Sequence, residues 1–278
     1  MHGLLSGNFK KFCRDRCGKL AFLCFAFGIV VTSSFASPQS LDDIQKNKLL
    51  KVCIWPEYFG ISYVNSRTNI LQGIDIDLSK ALAQDLGVKL EYVHTNFTNF
   101  TDDLLSEKCH IAMMGVGITP ERAQKIKFSK PYLRSDIYAV ALKANTSINT
   151  WLDIDRIGTV VVVQKDTFME PVLKRYLRHA NLYLATKPGE REREVESGRA
   201  DVFATDYPYS QKVLQNTDWA KVIAPDRPIR QTEYAYAVRP DDGAWLNRVN
   251  QFVAQIKKDG RLSEAATIHK LTPIVVKD

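Results

Sequence analysis

From residue 49 onward, short apolar runs rich in β-branched residues alternate with amphipathic stretches at helical spacing, and this alternation constrains the fold more than any other feature. Residues 49–54 form one such run, closed by Trp55-Pro56, and residues 88–93, 110–116 and 137–142 form others. Between them Ile74, Leu78, Ala81, Leu82 and Leu86 recur at helical spacing, and Gly87 stands where a left-handed residue ends a helix. A short helix is expected at 101–106, and Thr119-Pro120 opens a helical turn. Strands alternating with helices predict an α/β fold with mostly parallel sheets and helices on both faces.

The pattern then begins again. Strands are expected at 159–163, 182–184, 201–205, 222–223 and 234–238. Helices are expected at 171–178, with Pro171 in the first turn, at 190–197, highly charged and stopped by Gly198, and at 207–215. The last stretch, 245–256, carries Trp245, Val249, Phe252, Val253 and Ile256 on one face. No repeat of fixed period is present. Two α/β lobes follow from this order, residues 41–138 plus 237–278 and residues 139–236. The strands at 137–142 and 234–238 are the natural crossings between them.

Composition adds little beyond class: 278 residues, 45% apolar and 25% charged, are ordinary for a soluble globular chain with a sizeable core. The net charge of +7 raises nucleic-acid binding until its position is read. Lys10, Lys11, Arg14, Arg16 and Lys19, against Asp15, supply +4 of it within residues 1–36. That basic stretch precedes an apolar run at 20–31, then small residues with Ser34 and Ala36 before a cleavage point, the layout of a secretory signal peptide. The alternative, an uncleaved anchor, would have to span a bilayer with a very short run. The expected mature protein begins after Ala36 and is exported to the periplasm, and nucleic acid loses its case as a partner.

Export removes Cys13, Cys17 and Cys24, leaving Cys53 and Cys109, which in an oxidising compartment either pair or sit buried. Neither has a His or Cys at ligand spacing, so no metal site is expected, and no cofactor motif is present. His94 and His110 are single histidines near strand ends, and the sequons at Asn96, Asn99 and Asn145 read as polar loop sequence.

Several stretches resemble one family, the periplasmic polar amino-acid binding proteins of ABC importers (extracellular solute-binding protein family 3). They are Leu50-Lys51-Val52-Cys53, Gly73-Ile74-Asp75-Ile76-Asp77-Leu78, Gly117-Ile118-Thr119-Pro120-Glu121-Arg122-Ala123, Phe128-Ser129-Lys130-Pro131-Tyr132, Gly198-Arg199-Ala200-Asp201-Val202 and Thr205-Asp206. Their order holds over nearly the whole mature chain. The resemblance implies a type II two-lobed binding protein, monomeric, closing on a small ligand and handing it to a membrane-embedded ABC permease. It also makes Cys53 and Cys109 neighbours. The inferred register offsets them by about two residues, which strains the limit of roughly 7 Å between bonded Cα atoms, so the pair stays open between disulfide and buried thiols.

An amino-acid zwitterion needs a fixed cation and a fixed anion, because a buried unpaired charge is costly. The resemblance places the carboxylate-binding arginine at Arg122, in the first turn of a helix where free N–H groups also favour an anion. The alternative is a surface arginine. It places the ammonium-binding aspartate at Asp206, beyond the carboxyl end of a strand, where a helix N-cap is the competing role. Thr167 matches a second donor to the carboxylate, Tyr58 and Phe97 the aromatics that enclose the ligand, and Gly115 and Gly117 the strand end beside it. Two departures stand out. Gly117 replaces a usual Ser or Thr, and Trp55 stands where binders of basic amino acids carry an aspartate. With Met114 expected at the cleft, Trp55 suggests an apolar or bulky ligand side chain.

Catalysis has one rival reading, since exported cyclohexadienyl (prephenate or arogenate) dehydratases resemble the same family and need a general acid in the cleft. Glu170 lies near that position but one residue out of register. A sensor or accessory role beside a receptor or dehydrogenase is the other alternative. No acid–base pair is clearly placed, so no catalytic residue is assigned and a binding protein is expected.

Overall fold

The computed structural model describes residues 40–277, one compact unit, so the expected signal peptide and its cleavage point lie outside the described residues. The first lobe opens with α1 (Ser40–Asn47), β1 (Leu49–Ile54) and a small antiparallel sheet of β2 (Glu57–Tyr58), β3 (Ser62–Val64) and β4 (Leu71–Gln72). Next come α2 (Ile74–Leu86), β5 (Lys89–His94), α3 (Phe100–Leu105), β6 (Ile111–Gly117), α4 (Pro120–Ala123), β7 (Lys127–Phe128) and β8 (Leu133–Ser135). The second lobe holds β9 (Tyr138–Leu142), β10 (Val160–Gln164), α5 (Met169–Tyr176), β11 (Asn181–Ala185), α6 (Glu190–Glu196), β12 (Val202–Thr205), α7 (Tyr207–Asn216) and β13 (Ala220–Ile223). The chain then returns through β14 (Thr232–Val238), α8 (Gly243–Lys258) and α9 (Arg261–Ile268) to the first lobe.

Each lobe is built on one sheet, in the orders β5-β1-β6-β14-β7, with β8 also on β14, and β11-β10-β12-β9-β13. Both sheets are mixed rather than mostly parallel. β5, β1 and β6 run parallel, as do β11, β10 and β12, but the strands that reach each sheet after a lobe crossing pair antiparallel. The chain passes between the two sheets through residues 136–137 and 224–231. β9 therefore sits wholly in the second sheet and β14 wholly in the first, so neither is itself the crossing strand its sequence had suggested. The buried face of α8 is the expected stripe, Trp245, Val249, Phe252, Val253 and Ile256.

The sequence motifs turn out to be joints between elements. Gly73 precedes α2 with φ 138°, and a Cβ there would come within 2.2 Å of the Ile61 carbonyl oxygen, so only glycine fits. β6 departs from its register with β14 where Gly115 takes φ 61°, which frees the Gly115 N–H from the ladder. Asp75 Oδ2 accepts that N–H at 2.8 Å and the Tyr132 hydroxyl at 2.7 Å. Ser129 closes the same region by accepting the Tyr236 N–H at 3.0 Å.

Cys53 and Cys109 form a disulfide, with Cα atoms 5.6 Å apart. The strand register does not decide this, because Cys109 precedes β6, just after Glu107 turns the chain with φ 62°. Closing a loop of 56 residues' separation stabilises by about 4 kcal/mol on the chain-entropy estimate.

Burial pushes the Asp75 carboxyl up from 3.8 to about 7, although Tyr132 and Gly115 donate to it. The folded chain thus keeps a proton that the unfolded chain releases at lower pH. Stability contributed by this proton is present below pH 3.8 and is lost as pH rises towards about 7. The slope in that window should be at most about 1.4 kcal/mol per pH unit. Urea unfolding of the wild type and Asp75→Asn across the window checks this: the variant should lose the Asp75 share of the slope, and an unchanged slope would refute the assignment.

Candidate ligand-binding site

Asp206 stands between β12 and α7, 1% exposed, where β-strand geometry leads into a helix start. Its Oδ1 accepts the Tyr209 N–H at 3.2 Å and so caps α7, with Pro208 in the first turn. Its Oδ2 accepts the hydroxyls of Tyr58 and, at 2.6 Å, Tyr234, both from the first lobe. Burial raises the Asp206 carboxyl above its usual range, while Tyr234, Tyr58, the Tyr209 amide and the Arg191 charge pull it back. Helix cap and cleft-facing carboxylate are therefore the same group.

Arg122 lies on the opposite lobe. Thr119 caps its short helix by accepting the Arg122 N–H at 3.2 Å, and Pro120 occupies the first helical position, which accounts for the Thr-Pro-Glu-Arg order. The guanidinium donates to the Gly117 carbonyl and, across the cleft, to the Asp166 carbonyl, each at 2.8 Å. It lies over the rings of Phe97 and Phe100, 5.4 and 5.3 Å from their centroids. Burial lowers its pKa to about 10, which leaves it a cation. Among the described residues, no carboxylate lies within ion-pair distance of it. Thr98 makes a second bond across the cleft, donating to Asp166 Oδ2 at 2.8 Å.

Trp55, Tyr58 and Phe97 pack together with centroids 5.3–5.8 Å apart. They meet the second lobe around an inner cavity of about 20 Å³, room for about one water molecule. Trp55, Tyr58, Phe97, Gly115, Thr167 and Asp206 all line it. The structure does not bring the remaining expected residues to this cavity. Arg122 faces an outer groove behind Phe97, and Gly117 is covered by Phe168, whose Cδ1 would lie 3.1 Å from an added Cβ. Met114 packs beside the disulfide in a separate part of the core, fully buried, because the irregularity in β6 turns Gly115 rather than Met114 to the cleft. The Thr167 hydroxyl donates to the Gln164 carbonyl at 2.8 Å, closing its own loop, and Thr167 also borders the outer groove with Arg122. Two wider grooves of about 640 and 510 Å³ flank the cavity, each lined from both lobes.

Glu170 serves that same loop. Its Oε2 accepts the Asp166 N–H at 2.7 Å and its Oε1 pairs with Lys174 at 2.6 Å. Burial alone would raise its pKa, but Lys174 and the Asp166 amide hold it below the usual carboxylate range. It borders the outer groove with Arg122 and does not line the inner cavity. Among the described residues, no cluster of His, Cys, Asp and Glu side chains could hold a metal ion, and no helix is long and apolar enough to cross a membrane.

The profile of the bacterial extracellular solute-binding proteins, family 3, matches residues 50–269. The chain belongs to that family. Its relatives divide by chemistry. The cyclohexadienyl dehydratase of Pseudomonas aeruginosa is 26% identical over 246 residues, covering 88% of this chain and 90% of the relative. The L-cystine-binding protein TcyJ of Escherichia coli K12 is 25% identical over 229 residues, covering 82% and 85%. Among solved structures, the ancestral amino acid-binding protein AncCDT-1, described as a precursor of cyclohexadienyl dehydratase, is 32% identical, with TM-score 0.74, covering 83% of this chain and 98% of that one.

Arg191 and Thr205 also line the inner cavity of this family 3 chain; the sequence assigned neither to the site, although Thr205 stands in the Thr205-Asp206 motif. The run Glu190-Arg191-Glu192-Arg193-Glu194 reads as a solvated helix face. A signal was present in Val195, the apolar residue of α6, because Arg191 lies four residues before it on the same face. Both are buried.

Asp206→Ala should remove the helix cap and leave two buried tyrosine hydroxyls without their acceptor, at roughly 1–3 kcal/mol in thermal unfolding. Asp206→Asn, which keeps an acceptor at the same place, should recover most of that loss. Equal stability of Asp206→Ala and wild type would mean that the tyrosine contacts do not form in solution.

Proposed function

We propose that the chain is an exported, monomeric periplasmic binding protein, cleaved after Ala36, that holds an amino acid between its lobes and presents it to an ABC permease. One observation carries the reading: each lobe offers one charge whose partners lie across the cleft. Arg122 of the first lobe is bonded to the Asp166 carbonyl of the second, and Asp206 of the second to Tyr58 and Tyr234 of the first. Opening the cleft breaks these contacts together. The carbonyl then stands in for a ligand carboxylate at Arg122, and the hydroxyls for a ligand ammonium at Asp206. An α-amino acid supplies both groups at once and reconnects the lobes, so binding and closure are linked. The amino-acid-binding relatives support the same class of ligand.

A dehydratase is the second reading, favoured by the Pseudomonas aeruginosa relative. It asks for a carboxyl that keeps its proton near neutral pH and faces the substrate. Glu170 has the opposite setting, paired with Lys174 and away from the inner cavity. Binding without turnover is therefore the function proposed.

Two measurements test it. In a thermal-shift screen of the mature protein against amino acids, small carboxylates and prephenate, an amino acid at a hundred times its Kd should stabilise by about 2.7 kcal/mol. Arg122→Ala and Asp206→Asn should each lose roughly two to four decades of affinity in titration calorimetry. Normal binding by Asp206→Asn alone would point to a carboxylate lacking an α-ammonium. Incubation with prephenate or arogenate should yield no aromatic product, and turnover abolished by Glu170→Gln would establish the dehydratase instead.

A further inference from the structure

Arg191 projects from α6 into the interior of the second lobe, 4% exposed, with its guanidinium 4.3 Å from the Tyr209 ring centroid and 5.4 Å from that of Phe203. Nη1 donates to the Ala204 carbonyl at 3.2 Å, and this is its only hydrogen bond among the described residues. No carboxylate lies within ion-pair distance of it there. Glu192, next in sequence, feels the Arg191 charge but bonds the Tyr209 hydroxyl and lies 4.0 Å from Lys212 rather than bonding the guanidinium. Asp206 is held by its two tyrosines and the α7 cap. Beside this cation, at the end of β12, Thr205 is fully buried and its Oγ1 has no hydrogen-bond partner. Both residues line the inner cavity, and Arg191 also lines the flanking groove of about 640 Å³.

A buried cation with donors to spare, next to an unpartnered buried hydroxyl, is a costly arrangement unless something with acceptor oxygens completes it. We infer that Arg191 and Thr205 form a subsite for an anionic group on the ligand side chain, so that the ligand is an acidic amino acid. The inference rests on the amino-acid reading of Arg122 and Asp206. With those two matched to the α-carboxylate and α-ammonium, a neutral side chain leaves the spare Arg191 donors without a charged acceptor in the closed cleft, and a cationic one meets a like charge. A side-chain carboxylate accepts from the guanidinium and from the Thr205 hydroxyl together.

Titration calorimetry of the mature protein with glutamate, aspartate, glutamine, asparagine, arginine and leucine tests this. Glutamate or aspartate should bind about tenfold to a hundredfold more tightly than its amide, the range expected for hydrogen bonds to a charged group. Arg191→Met, which keeps the stack on Tyr209 apolar, should bring that ratio close to one. Thr205→Val, which only replaces a hydroxyl by a methyl, should lower the ratio in the same direction and serves if Arg191→Met does not fold. Preference for a neutral or cationic amino acid, or an acidic preference unchanged in both variants, overturns the subsite while leaving the amino-acid reading intact. Failure of every amino acid to bind overturns the underlying reading and the subsite with it.

Discussion

The Asp206 carboxylate ties the two lobes together. It terminates a strand, caps a helix and accepts two tyrosine hydroxyls from the opposite lobe, with almost no exposure to water. A carboxylate so placed must have its lone pairs occupied, because an uncompensated buried charge costs several kcal/mol. The positions of Tyr58 and Tyr234 follow from that requirement, and so does the closeness of the lobes. Arg122 imposes the mirror condition on the other side of the cleft, where the loop at Asp166, shaped by Glu170 and Thr167, brings a carbonyl to the guanidinium. Opening the cleft must rehydrate both charges, and closing it must find partners for both.

Much of this architecture was legible in the sequence because it rests on periodicity and turn chemistry. The buried face of α8, the strand at β10 and the stop at Gly87 follow from local patterns that tertiary packing reinforces. Sheet direction was not legible. Antiparallel pairing of β14 with β6 depends on how the chain returns from the second lobe, and no local pattern encodes a return path. Nor were β2 to β4, whose strands are two or three residues long, or α9, visible as elements.

The arrangement of the residues proposed for the site was not legible in the sequence. Asp206, Tyr58, Phe97, Trp55, Gly115 and Thr167 do gather around one cavity. Met114 fails because a strand irregularity at Gly115 breaks the alternation that a sequence reading assumes, so the glycine faces the cleft and the methionine faces the disulfide. Arg191 was missed for the converse reason. Four charged neighbours hide the one position whose helical phase turns it inward. Gly117, noted as a departure from the usual hydroxyl residue, has a steric cause. A Cβ there would lie 3.0 Å from the Thr232 methyl and 3.1 Å from Phe168, so a larger residue would need those neighbours to shift by a few tenths of an ångström.

Self-satisfaction of the cleft charges bears on how a ligand competes for them. Arg122 gives its hydrogen bonds to neutral carbonyls, and Asp206 receives its bonds mainly from neutral hydroxyls. Each of these bonds already has one ionised member, and a zwitterion makes both members ionised, which adds the attraction between two full charges at each end. The exchange therefore favours ligand at both ends even though the number of hydrogen bonds need not rise. Affinity is the difference between two closed arrangements, not the sum of the contacts in one. A molecule carrying only one of the two charges would gain at one end and still have to displace or preserve the protein's own partner at the other. On the proposed roles of Arg122 and Asp206, selectivity for a zwitterion would follow from the protein already closing on itself, before any side-chain pocket is considered.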